Sequence, residues 1–454
     1  MAKANDLTQG KVSGLILKFY FPMLLTNMLQ QMYNIADTAI VGKGLGDNAL
    51  AAVGNMSSLT FLIFGFSMGL ANGFSVIVAQ SFGAKNYEKL RRSVASSALL
   101  CFIIAMILTA VSMISLKPVL HLLRTDENIM HDGLVYGYFV FGGLIATIAY
   151  NLCSCILRAL GDSKTPFIAI IISTIVNIVL DVFCIFVLKT GVEGAAIATI
   201  FSQIVSAYIC FLRIKKIDVL DIKKEDFQGN KALYGELFSN GLPMALMNSI
   251  TAVGCMVIQY FVNGLGVAYT TAYSACSKFI NLFMQPACTA GFAMSAFTSQ
   301  NYGAKRFDRI REGLHVCLTI ATIAYLLLGS IMVFFPEALA RVMVNGDEPA
   351  RIAKTYLPIC GIFLFGVDYL FVFRNGCQGF GKPFIPMISG IVEMALRISV
   401  IALFIPVLGF SATAYAEASA WIGALLLNMF AFEYTLNKNL GHKSVTHDKI
   451  KTTA

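Results

Sequence analysis

Apolar residues run in long blocks along the whole chain, broken by short polar stretches. A run of about 18 or more apolar residues reads as a membrane helix, because about 20 residues at 1.5 Å rise cross the hydrocarbon. Twelve such runs occur, at 14–42, 49–80, 94–122, 133–158, 166–188, 192–213, 234–263, 268–298, 314–344, 352–376, 384–407 and 410–436. Several exceed the minimum, so tilts or kinks are expected, with Pro22, Pro243, Pro286 and Pro358 as their places. The polar stretches are too short to hold a soluble domain. The predicted division is a six-helix bundle over 1–215, a cytoplasmic linker over 216–233, a second six-helix bundle over 234–437 and a cytoplasmic tail over 438–454.

Composition narrows the class. Of 454 residues, 57% are hydrophobic and 13% charged, with mean hydropathy +0.73, where a soluble chain carries about 25% charged residues. A water-soluble enzyme and a disordered chain are both excluded. The net charge of +9 would suit nucleic acid or anionic lipid, but the basic residues fall in loops between apolar runs. The lipid bilayer is therefore the expected partner, and nucleic acid is not. With the N-terminus in the cytoplasm, 25 of the 34 Lys and Arg fall inside, Arg309 and Arg374 among them, and seven fall outside, Arg124 among them. Lys278 and Arg397 stay within the membrane. This asymmetry predicts a multi-pass protein of the inner (plasma) membrane with both termini cytoplasmic. The start, MAKANDLTQGKVSG, has no apolar stretch before a small-residue cleavage site, so no removed signal peptide is expected. The eleven cysteines lie inside apolar runs and read as small fillers.

The chain also repeats itself. Residues 80–92, QSFGAKNYEKLRR, match 300–312, QNYGAKRFDRIRE, at an offset of 220, and the same offset aligns Gly161 and Pro166 with Gly381 and Pro386. Near-matching offsets pair Pro22-Met23 with Pro243-Met244, and Gly191 with Gly409. Each half has six helices and both start on the same side, so the halves are parallel repeats, a transporter signature with the substrate site between them.

Ionisable residues at membrane depth are costly, about 2.5–3.5 kcal/mol on insertion scales, and therefore point to function. On the first helix Asn27, Gln30, Asn34 and Asp37 follow one helical face, and on the fifth Ser173, Asn177 and Asp181 do the same. Such stripes cannot face lipid. Helices four and six bring Tyr136, Thr199 and Gln203 to a similar depth. Two carboxylates at one depth can share a proton, and the same oxygens suit a small cation, so both alternatives stand. The second half differs: it has Lys278, Asn281 and Gln285 on helix eight, Asp368 on helix ten, and Glu393 and Arg397 at i, i+4 on helix eleven. Glu393 and Arg397 are expected to pair with each other, and Lys278 with Asp368 or Glu393, as structural ion pairs.

The Pro-Met pairs, the GAK-basic loops and the G-x4-P loops resemble the multidrug and toxic compound extrusion (MATE) transporters over about residues 10–440. The resemblance implies an all-α polytopic membrane protein of twelve transmembrane helices, as two parallel six-helix repeats in a V-shaped arrangement. It implies export of cationic or amphipathic small molecules in exchange for sodium ions or protons, with no further cofactor and a monomer as the working unit. It places the ion site, in the branch with aspartates in the N-terminal half, at Asp37, Tyr136, Asn177, Asp181 and Thr199. Asp37 and Asp181 would carry the ion, Asn177 and Thr199 would be neutral ligands, and Tyr136 a gate. Asp368 matches the helix-ten acid of another branch and is a secondary ion candidate. Helix seven, with Asn248, Thr251 and Gln259, lacks that branch's carboxylate.

Facing helices should supply substrate contacts. Gln30, Asn34, Asn151, Asn248 and Gln285 are the polar candidates, and Met32, Met256 and Phe283 belong to soft walls that repack around varied ligands. No phosphate-loop pattern appears, since GKGLGDN at 42–48 lacks G-x4-G-K-[ST]. Energy must then come from an ion gradient. The alternatives are a lipid-linked oligosaccharide flippase, which calls for a more cationic cleft, and a membrane-embedded enzyme or channel, for which no catalytic set is present.

Overall fold

The computed structural model describes residues 5–122, 125, 127–228, 231–343 and 347–451. Lys3, Arg124 and the last residues of the predicted tail lie outside them. The described chain is helical almost throughout. Its α-helices are α1 Val12–Leu45, α2 Asp47–Gly83, α3 Tyr87–Leu122, α4 Glu127–Gly142, α5 Leu144–Ala159, α6 Lys164–Val182, α7 Val192–Lys215 and α8 Lys231–Asn263. There follow α9 Val267–Phe283, α10 Gln285–Gly303, α11 Phe307–Phe334, α12 Pro336–Met343, α13 Asp347–Gly379, α14 Phe384–Leu408 and α15 Ser411–Lys451.

Each predicted span is met by one helix or by a broken pair. The fourth is α4 and α5, bent by 45° around Gly143. The eighth breaks at Met284 and the ninth at Phe335, each just before a proline, which has no N–H to continue the ladder and starts the next helix instead. Among the described residues ten helices are long and apolar enough to cross a membrane, eleven with the bent pair. The remaining span, α9 with α10, is more polar because its side chains face protein: Thr289, Thr298, Ser299, Gln300 and Asn301 are all buried. The architecture is an all-α membrane fold of twelve spans in two repeats. Helix α15 continues to Lys451, past the predicted helix end at 436.

The repeat is written in the backbone. Positive φ occurs at Gly46 and Gly266, Lys85 and Lys305, Gly161 and Gly381, and Lys189 and Gly409, each pair 220 residues apart. Left-handed lysines are uncommon, so their recurrence fixes the register. Beyond Lys189 and Gly409 the offset becomes 218. Gly194 N donates to Gly191 O and Ala412 N to Gly409 O, both at 3.1 Å, and buried Ala196, Ala198, Ser202 and Cys210 recur as Ala414, Ala416, Ala420 and Asn428.

Two units emerge, and their boundaries are not those expected at 216–233. One gathers Met1–Asp6 and Phe21–Ala245, the other Leu7–Tyr20 and Leu246–Ala454. Helices α1 and α8 each pass from one unit to the other beside a proline, Pro22 and Pro243. In the first unit the reason is close backbone packing of α2 on the start of α8. A Cβ on Gly69 would stand 2.6 Å from Ala245 Cα, and one on Gly73 2.4 Å from Asn240 O. In the second unit buried Arg309 holds the N-terminal segment, donating to Gly10 O at 2.9 Å and Leu7 O at 3.3 Å. Arg309 was counted as a loop charge, but its guanidinium serves the backbone. The linker also packs: Ile217, Leu220 and Asp226 are buried, and Asp226 faces Arg91 at 3.5 Å.

Candidate ion-coupling site

Four helices of the first unit converge on Asp37 and Asp181. Asp181 lies at the end of α6, where the chain widens into a π-helical turn over Phe183–Val187. Leu188 N donates to Phe183 O at 2.9 Å, and Thr190 closes the turn through Cys184 O, 3.0 Å from its N and 2.8 Å from its Oγ1. Gly44 of α1 packs on this turn, since a Cβ there would stand 2.4 Å from Ile185 Cγ2. Helix α1 thus lies close against the turn that follows Asp181, with Asp37 two turns before Gly44 on the same face. π-turns inside α-helices recur at functional sites.

The polar groups in this cluster lack partners. Asp181 and Asn177 are fully buried, and neither carboxyl oxygen of Asp181 nor either amide atom of Asn177 accepts or donates a hydrogen bond. Asp37 Oδ1 and Gln203 Oε1 are in the same state. Buried polar groups are ordinarily bonded, and an unmade bond costs about 1–3 kcal/mol. The two carboxyl groups lie within hydrogen-bonding reach of each other. Both are acceptors, so they bond only through a shared proton or a cation set between them. No salt bridge reaches either aspartate among the described residues.

Around them stand hydroxyl groups. Tyr33 OH lies 3.4 Å from Thr199 Oγ1 and neighbours Asp37, Asp181 and Ser202. Tyr136 of α4 neighbours Asp37, Asp181 and Tyr33. The structure therefore brings together Asp37, Tyr136, Asn177, Asp181 and Thr199. Tyr33 and Ser202 were not singled out in the sequence. Tyr33 precedes Asp37 by one helical turn, and that spacing was the signal for it.

The other candidates are dispersed. Gln30, Met32, Asn34 and Asn151 belong to the first unit, with Met32 66% exposed, while Asn248, Met256, Phe283 and Gln285 belong to the second. Gln285 Nε2 donates to Asn281 O at 3.1 Å, along its own helix, and Phe283 tilts on Phe279 with centroids 6.1 Å apart. Asp368 is fully buried with both oxygens unbonded.

The expected ion pairs need correcting. Arg397 Nη2 lies 3.5 Å from Glu393 Oε2, but two further residues complete the network. Arg374 of α13 pairs with Glu393, and Glu417 of α15 accepts from Arg397 Nε at 3.1 Å and Nη2 at 3.0 Å. Lys278 is exposed and joins no ion pair among the described residues. Glu393 already has two guanidinium partners, so it needs no lysine. Arg374, counted as a loop charge, is buried.

Comparison with known proteins agrees with the repeat. The model of the MatE family matches the chain twice, at residues 22–183 and 243–403. The chain is 28% identical over 424 residues to the probable multidrug resistance protein YpnP of Bacillus subtilis, covering 93% of this chain and 92% of the relative. It is 29% identical over 358 residues to the probable multidrug resistance protein YoeA of the same organism, covering 77% of each. A crystal structure described as MATE in the bent conformation superposes with a TM-score of 0.91 at 20% identity, over 98% of this chain and 100% of that one. The two family matches begin at the two helix prolines and each span one half of the fold; the chain belongs to the MatE family, and it is a membrane transporter, not an enzyme.

Proposed function

We propose that this chain is a secondary active multidrug efflux antiporter of the plasma membrane. It exports organic cations or amphipathic compounds in exchange for protons or sodium ions, by alternating access. Asp37 and Asp181 carry the coupling ion, with Asn177, Thr199 and Tyr136 completing its shell. One observation carries this reading: the buried Asp181 and the half-buried Asp37 adjoin with no cationic partner among the described residues, and Asn177 beside them has both amide atoms free. A buried charge without a partner is costly, so the cluster is at rest only when it holds a proton or a small cation. The names of the relatives YoeA and YpnP support multidrug resistance as the role, and the basic loops support cytoplasmic termini.

The test is efflux of a fluorescent cation from proteoliposomes, driven by a proton gradient alone and then by a sodium gradient alone. Wild type should follow one gradient, which names the ion. Asp37→Asn and Asp181→Asn should each lose at least about tenfold of the driven rate, about 1.4 kcal/mol of coupling. Full driven efflux in both variants would remove these residues from the mechanism and turn attention to Asp368.

A further inference from the structure

The repeat register compares the two units residue by residue. At the offset of 220, Tyr136, Ser154, Ser173, Asn177 and Asp181 correspond to Tyr356, Arg374, Glu393, Arg397 and Ile401. At the offset of 218 that holds for α7 and α15, Thr199 corresponds to Glu417. In the proline register of α1 and α8, Tyr33 and Asp37 correspond to Gly254 and Ile258. Arg397 and Glu417 thus occupy the positions of Asn177 and Thr199 in the first unit's cluster, and Arg374 and Glu393 those of the neutral Ser154 and Ser173. Conversely, the positions of the two unpaired aspartates hold Ile258 and Ile401, both fully buried.

The geometry agrees with this correspondence. Arg397 is held by Glu417 at 3.0 and 3.1 Å and by Glu393 at 3.5 Å. Its guanidinium extends over Gly254, where a Cβ would stand 3.1 Å from Nη1, so the absence of a side chain at the Tyr33 position leaves room for it. Tyr356 neighbours Glu417 as Tyr136 neighbours the aspartates. Asp368 stands apart, beside Tyr20 and Cys317.

We propose that the second unit carries a filled copy of the ion site, in which the guanidinium of Arg397 is a resident cation clamped by Glu393 and Glu417. The ligand class of this site is a small planar monovalent cation. Two carboxylates and two guanidinium groups balance in the buried network, so it has no charge left for an exchangeable ion. The corollary, that ion exchange belongs to the first unit alone, rests on the proposed antiport.

The test is chemical rescue of the full-length protein in detergent, read by thermal unfolding. Arg397→Ala should lower Tm, because removing one partner strands buried carboxylates. Guanidinium chloride at low millimolar concentration should restore more than half of the loss, and urea or sodium chloride at equal concentration should not. Wild type should not respond. Equal effects of guanidinium and urea on the variant, or no guanidinium effect at all, would overturn the proposal. If Arg397→Ala is not recovered from membranes, Arg397→Leu with Glu417→Gln decides instead. The double variant should be recovered where Arg397→Leu alone is not, and equal loss of both counts against a clamped cation. None of these readouts involves transport, so their failure leaves the aspartate coupling standing. Efflux indifferent to both gradients would defeat the coupling without touching the rescue.

Discussion

The two halves of this transporter share backbone turns and a tyrosine at the equivalent positions 136 and 356, yet they solve the problem of charge inside a membrane protein in opposite ways. The first unit holds a buried Asp181 and a half-buried Asp37 with no cation beside them among the described residues. The second buries Glu393 and Glu417 and supplies Arg374 and Arg397 from the same chain. A self-neutralised network is fixed, because removing either charge leaves the other stranded. An unneutralised pair needs something from outside, and that need is what a gradient can drive. One duplicated scaffold thus yields, through a handful of side chains, a self-neutralised half and a half whose carboxylates lack a counter-charge, which is the contrast the proposed coupling rests on.

The difference is broken most severely at Arg374. Arg374→Ala removes a guanidinium from Glu393 and should cost about 3–5 kcal/mol, whereas Ser154→Ala at the equivalent position should cost no more than about 1 kcal/mol. Denaturation midpoints of the two purified variants check this, and similar losses would mean that the two positions carry similar loads. Next in size is a transplant. Asn177→Arg places a tethered cation beside Asp181, and it should bring driven efflux at least about tenfold down, to the level seen without a gradient, while the protein stays folded by thermal unfolding. Undiminished coupling in a folded Asn177→Arg protein would show that the ion does not use this position. Smaller again is Gly254→Ala. Its Cβ would crowd Arg397 Nη1 at 3.1 Å, and overpacking of that kind costs about 1–3 kcal/mol, measurable as a lowered Tm with efflux coupling intact.

Much of this contrast was legible beforehand, and the exceptions have physical causes. Apolar runs report spans directly, and the stripes through Asp37 and Asp181 stood out because polar residues at i, i+3 and i+4 cannot all face lipid. Arg374 was misplaced because charge counting sees where a residue lies along a helix, not whether it snorkels to water or turns to a carboxylate. Lys278 was given a partner for the converse reason: a helical face is readable from sequence, but the neighbour it meets is not. Glu417 went unnoticed near the start of the last span, although the repeat pointed to it through Thr199. The passage of α1 and α8 between units depends on contacts such as Gly73 against Asn240, and a continuous apolar helix carries no mark of it.

The mildest change sharpens the comparison at the residue that separates the two sites sterically. Tyr33 stands where the second unit has Gly254, and its hydroxyl lies 3.4 Å from Thr199 Oγ1, well beyond the 2.7–2.8 Å of a good O–H···O bond. A contact that long contributes little, so Tyr33→Phe, which keeps the ring and its packing, should lower driven efflux by less than about threefold, or roughly 0.6 kcal/mol. Removing the ring is another matter: Tyr33→Gly opens the space that Gly254 opens for Arg397, and it should be the background in which Asn177→Arg is best tolerated. Unfolding midpoints of Asn177→Arg with and without Tyr33→Gly measure that coupling. A higher midpoint in the double variant means the tyrosine excludes a resident cation from the first unit, whereas additive losses would mean the two positions are independent and that only the carboxylates distinguish the halves.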